Sequence, residues 1–131
     1  MRREISDLID GAWYDYASAE DMLRAGRYNY VAFLCQQAVE KMLKAAVMAM
    51  TRTRYPKAHN LKELLDETGL TVPGELETAI LRLGPHYLAS RYLNAAGGRP
   101  WELYNSDLAQ GFLTEAKSVL EWLESKTRSS E

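Results

Sequence analysis

His59 and His86 are the only side chains of this 131-residue chain whose unperturbed charge changes near neutral pH. Arg54 stands five residues before His59, and Arg52 seven before it. Cleaving RNA without a metal needs an acceptor for the 2′-hydroxyl proton and a donor for the leaving oxygen, which imidazole supplies. It also needs a cation for the charge developing on phosphorus, and a guanidinium meets that charge with two donors at once. Arg54 and His59 are therefore the candidate catalytic pair. The competing reading is that His59 caps or packs at the start of a short helix. His86 follows Gly84-Pro85 and reads as a half-buried histidine with a backbone partner.

A second kind of chemistry is anion binding. Residues 26–62 hold seven bases (Arg27, Lys41, Lys44, Arg52, Arg54, Lys57, Lys62) against Glu40 alone, although the whole chain carries a net charge of −2. A basic segment on an acidic protein points to one anionic contact, a nucleotide or RNA phosphate, rather than to a glove for nucleic acid. Arg52, Arg54, Lys57, Lys41 and Lys44 are its candidates, with Tyr55 beside them to stack on a base. The plainer reading is a solvated helix face and its loop. Arg91-Tyr92 is a further candidate, against an arginine that stacks within the fold. Glu40 and Lys41 lie beside so apolar a stripe that they must find partners or water, in a cleft, at an interface or in an internal ion-pair network.

Other chemistries lack their residues. Cys35 is the single cysteine, set in an apolar run with no disulfide partner, and reads as buried. No Cys/His cluster has zinc spacing, and Gly97-Gly98 alone is no phosphate loop, so neither metal nor cofactor is expected. The start of the chain has no apolar signal segment, and Val31–Met50 is interrupted by Gln36, Gln37, Glu40, Lys41 and Lys44, so no membrane contact and a cytoplasmic setting are expected.

The elements that must position these residues are helices. Ile5, Leu8, Ile9, Ala12, Trp13, Tyr16, Ala19 and Leu23 recur at helical spacing and predict a helix over about Glu4–Arg24, ended by Gly26. Val31, Cys35, Ala38, Met42, Ala45, Ala46 and Ala49 make one stripe of a second helix, about Asn29–Met50, widened by Ala32, Val39, Leu43 and Met50 until it must lie at the centre. A short helix is expected near Asn60–Thr68 and a fourth over about Glu75–Arg91, kinked or broken at Gly84-Pro85. The last is expected over about Asn105–Lys126, capped by Asn105 or Ser106. No strand-like alternation persists. The expected architecture is all-α: one domain over residues 1–126, an antiparallel bundle of four longer helices plus one short helix, with a polar tail at 127–131.

Ala19-Glu20-Asp21-Met22-Leu23, Ala25-Gly26-Arg27-Tyr28, and above all Gln36-Gln37-Ala38-Val39-Glu40-Lys41-Met42-Leu43-Lys44-Ala45 resemble the HEPN domain. Trp13, His59-Asn60-Leu61 with Leu64-Leu65, Ser90-Arg91-Tyr92 and Ala116 also match in place. The resemblance implies a helical bundle that dimerises, and for many members a separately encoded minimal nucleotidyltransferase as partner, often as a toxin–antitoxin pair. Other members are metal-independent ribonucleases with Arg-x(4–6)-His near the start of a late helix. Here no histidine follows Arg91 or Arg99, Arg82 stands too close before His86, and Arg54 and Arg52 keep the spacing to His59 in the wrong place. The leading expectation is thus a dimeric HEPN subunit acting with a nucleotidyltransferase and meeting nucleotide or partner through the basic segment. The alternatives are a ribonuclease using Arg54 and His59, and a dimeric interaction module without a ligand. Trp13, Trp101 and Trp122 are each available to an interface.

Overall fold

The computed structural model describes residues 1–130. Its helices are α1 (Arg2–Arg24), α2 (Tyr28–Thr51), α3 (Leu61–Thr68), α4 (Gly74–Leu83), α5 (His86–Ala89) and α6 (Ser106–Ser129), with a 3-10 turn at Pro100–Glu102 before α6. The described residues contain no strand.

The wide apolar face of α2 dictates the arrangement. Val31, Ala32, Cys35, Ala38, Val39, Met42, Leu43, Ala45 and Ala46 are all fully buried. A helix apolar over that much of its circumference needs cover on several sides, and α2 packs against α1, α3, α5 and α6. Ile9 and Ala12 of α1, Leu64 of α3, Ile80 and Leu83 of α4, and Leu120 and Leu123 of α6 complete one core. Cys35 sits inside it as a free thiol, and burial pushes its pKa up to about 12. A thiol that hard to ionise is a small apolar side chain, not a nucleophile.

The ends follow local chemistry. Gly26 adopts φ +74° after α1. Its N–H reaches Leu23 O at 3.1 Å while the Arg27 N–H reaches Met22 O at 2.9 Å, the paired closure that a left-handed residue permits. Asn60 caps α3 by accepting from the Glu63 N–H, and Asn105 caps α6 by accepting from the Leu108 N–H.

Two expectations need adjustment. The fourth helix breaks at Gly84-Pro85 into α4 and α5 as expected, because proline can neither donate nor clear the preceding turn, but its second part stops at Ala89, short of Arg91. The last helix runs past Lys126 to Ser129, and Thr127 is fully buried, its hydroxyl donating to Leu123 O at 2.7 Å. That bond lets a polar side chain continue the core stripe. Glu131, the end of the expected polar tail, lies outside the described residues.

Candidate functional site

Glu40 is the polar centre of α2. It is 4% exposed and yet ionisable, so it must be surrounded by donors. Lys44, one turn on, donates to Oε2 at 2.9 Å, and Gln36 and Gln37, one turn back, reach Oε1 at 3.4 Å. The fourth partner comes from outside the helix: His59 Nδ1 stands 3.1 Å from both carboxylate oxygens.

His59 is fixed in place by the backbone before α3. Fully buried Gln36 donates to His59 O at 3.1 Å, and Asn60 caps the helix that follows. The imidazole itself remains 54% exposed. Its Nδ1 is engaged by the carboxylate, which leaves Nε2 as the open nitrogen. A carboxylate that orients and steadies an imidazole is the arrangement general bases use.

The other face of His59 meets Tyr87 of α5, ring on ring, with centroids 4.2 Å apart and planes within 13°. Tyr87 in turn holds Arg91. The guanidinium donates through Nε and Nη2 to Tyr87 O at 3.1 and 3.0 Å, and lies over the rings of Phe33, Tyr87 and Tyr92 at 4.3, 4.7 and 5.0 Å. Stacking of this kind holds the charge in one place without a neutralising carboxylate. The segment carrying Arg91 is tied to α2 where buried Asn29 donates to Ser90 O at 3.0 Å. Glu40, Lys44, His59, Tyr87 and Arg91 thus form one array across α2, the connection before α3, and α5 with the turn after it.

The other candidates lie apart from it. Arg54 is 80% exposed and faces Glu4 of α1 at 3.9 Å. Arg52 ends α2 and reaches Ser130 O at 3.3 Å. Lys41 pairs with Asp15 of α1, and Lys57 is exposed. Lys44 is shared with the Tyr55 ring, 5.0 Å away. Tyr92 belongs to the edge of the array through Arg91 and is itself 53% exposed. The basic segment is therefore spread over two sides of the bundle rather than gathered into one patch.

Sequence reasoning misses Tyr87, Phe33 and Gln36 as site residues. An aromatic one turn before an arginine is the available signal, since i and i+4 share a helix face.

His86 is near Tyr87 in sequence but faces another way. Its Nδ1 lies 2.6 Å from the Tyr104 hydroxyl, a side-chain partner instead of the expected backbone one. Burial lowers the His86 pKa and raises that of Tyr104 to about 12, so both are neutral near pH 7. Among the described residues no group of three or more His, Cys, Asp or Glu is placed to hold a metal ion, and no helix is long and apolar enough to cross a membrane.

The HEPN domain model matches residues 5–126. The chain belongs to the HEPN family. Two solved structures are similar to the chain. TT1696 from Thermus thermophilus is 28% identical with a TM-score of 0.86, over 96% of this chain and 99% of that one. ST0689, an archaeal HEPN homologue, is 25% identical with a TM-score of 0.79, over 94% and 97% respectively. No curated protein matches. In this HEPN chain the array lies on Gln36–Lys44, on His59 and on Ser90–Arg91, three of the segments that carry the resemblance.

Proposed function

We propose that this HEPN protein is a dimeric partner subunit of a separately encoded nucleotidyltransferase, in the manner of a toxin–antitoxin pair, and that the Glu40–His59–Tyr87–Arg91 array receives a phosphate of nucleotide or RNA. One observation carries the reading. His59 and Arg91 flank a single ring, Tyr87, so an imidazole and a guanidinium held without a carboxylate of its own stand on one exposed face. Leu88, Tyr92 and Leu93, more than half exposed, continue that face as an apolar margin. Apolar margins beside a polar site suit a protein partner.

Co-expression with a minimal nucleotidyltransferase encoded beside the chain tests the reading. The two proteins are expected to co-purify, and Leu88→Asp with Leu93→Asp is expected to separate them. A stable complex untouched by both changes, or none at all, overturns it.

The Glu40–His59 hydrogen bond favours a second reading, a metal-independent ribonuclease in which Nε2 of His59 takes the 2′-hydroxyl proton. Arg91 then replaces Arg54 as the cation, because Arg54 faces Glu4 instead. Cleavage of RNA under chelation that is lost in His59→Ala and Arg91→Ala but kept in Arg54→Ala supports this reading over the first.

A further inference from the structure

A groove of about 680 Å³ opens between α5, the segment before α6, and the first turns of α6. It lies on the His86 side of α5, apart from the array on the Tyr87 side. Its size is that of a small-molecule site, roughly 300–1,000 Å³. The walls are mostly apolar, from Ala89, Leu103 and Leu108, and the inner end is an aromatic cluster. The His86 ring meets Tyr104 and Phe112 edge to face, at 5.5 and 4.7 Å.

Two further observations say what fits. The first is Gly111, an exposed glycine inside α6 that lines the groove. A Cβ built there meets nothing within 4 Å, so no contact within the chain requires glycine, although glycine weakens a helix interior. Its effect is to leave the groove wall bare, where a flat molecule can lie against the backbone. The second is charge. The acids Asp107 and Glu115 line the groove with one base, Arg82, and Arg82 is already paired to Glu115. The groove is therefore unsuited to a phosphate or carboxylate. Inside, His86 Nδ1 is taken by Tyr104, and Nε2 is the nitrogen left for a bound molecule.

We infer that this groove is a binding site for an uncharged planar aromatic compound of one or two rings, laid along Leu108 and Gly111 against the exposed edge of the His86–Tyr104–Phe112 cluster and hydrogen-bonded to His86.

The probe is indole, titrated into the isotope-labelled full chain while amide resonances are followed, with indole-3-carboxylate as its anionic counterpart. Saturable shifts are expected at Leu108, Gly111 and Thr114, with binding of the carboxylate weaker by about tenfold for want of a counter-charge. Gly111→Leu, which meets open space in the folded chain, is expected to abolish the response, and Gly111→Ala to keep it. Absence of saturable shifts, equal affinity for the carboxylate, or an unchanged response in Gly111→Leu overturns the inference. So does loss of self-association in Gly111→Leu by sedimentation, which assigns the groove to a second copy of the chain.

Discussion

His59 Nδ1 stands 3.1 Å from each carboxylate oxygen of Glu40, and the two residues differ tenfold in exposure, 54% against 5% for the side chains. The carboxylate is structural as well as chemical, because it also neutralises Lys44, whose side chain is only 13% exposed. Removing the charge leaves a nearly buried ammonium without its partner. Glu40→Gln is expected to destabilise the fold by about 2 kcal/mol, read as a lower midpoint in urea unfolding. His59→Ala, at an exposed ring, is expected to cost no more than about 1 kcal/mol. A Glu40→Gln variant as stable as the parent would mean that the Glu40–Lys44 pair adds nothing to folding.

His86 makes stability depend on pH in a defined window. Burial lowers its folded-state pKa below the ordinary 6.5. The unfolded chain therefore takes up a proton first as pH falls. The sign follows: stability is unaffected by His86 above pH 6.5, declines as pH drops from there toward the folded-state value, and levels off below it. His86→Phe keeps a ring against Phe112 and is expected to flatten the unfolding midpoint between about pH 7 and 5. A profile of the same slope in the variant would place the dependence elsewhere. Glu124 is a separate case at lower pH. Burial raises its pKa, but the hydrogen bonds from Arg128 and Trp13 outweigh that and the net shift is downward. Its contribution is present above the ordinary carboxylate value and is lost as pH falls from there through the lowered folded-state value.

What was legible in the sequence depended on distance along the chain. The stripes of α1 and α2 and the break at Gly84-Pro85 are local patterns, and the helices stand where those patterns put them, although Met50 at the edge of the α2 stripe is 37% exposed; of the two caps the sequence offers for α6, Asn105 is the one used. The Glu40–Lys44 pair was legible for the same reason, one turn apart on one face. The Glu40–His59 bond spans 19 residues and an irregular connection, so no period announces it. Spacing in a loop says nothing about direction, and Arg54, five residues before His59, faces Glu4 instead. The companion across Tyr87 is Arg91, 32 positions on by the sequence numbering. Thr127 read as tail because a hydroxyl counts as polar in a pattern, while in the helix it is satisfied by Leu123 O.

Arg52 offers a test of backbone strain. It closes α2 at φ 61° and ψ 22°, and is the one non-glycine at positive φ among the described residues. Its guanidinium contact with Ser130 O, at 3.3 Å and exposed, is a weak return for that conformation. Arg52→Gly relieves the clash of Cβ with the backbone at a position where helices favour glycine. The variant is expected to gain about 0.5–1 kcal/mol in urea unfolding, the relief exceeding the lost exposed hydrogen bond. A loss of stability would mean that the contact with Ser130 secures the end of α6 more than the strain weakens α2.

Gly111 separates two reasons for a glycine. If it existed for packing within the chain, adding a methyl group would be costly. Instead a Cβ there meets nothing within 4 Å, and the residue sits inside α6, where alanine is favoured over glycine by about 1 kcal/mol. Gly111→Ala is therefore expected to raise the unfolding midpoint by an amount worth about 0.5–1 kcal/mol. Such a gain means that folding does not account for the glycine, in keeping with a ligand that approaches α6 from the groove. A destabilised Gly111→Ala would tie the residue to the fold and remove one of the two supports for a ligand there.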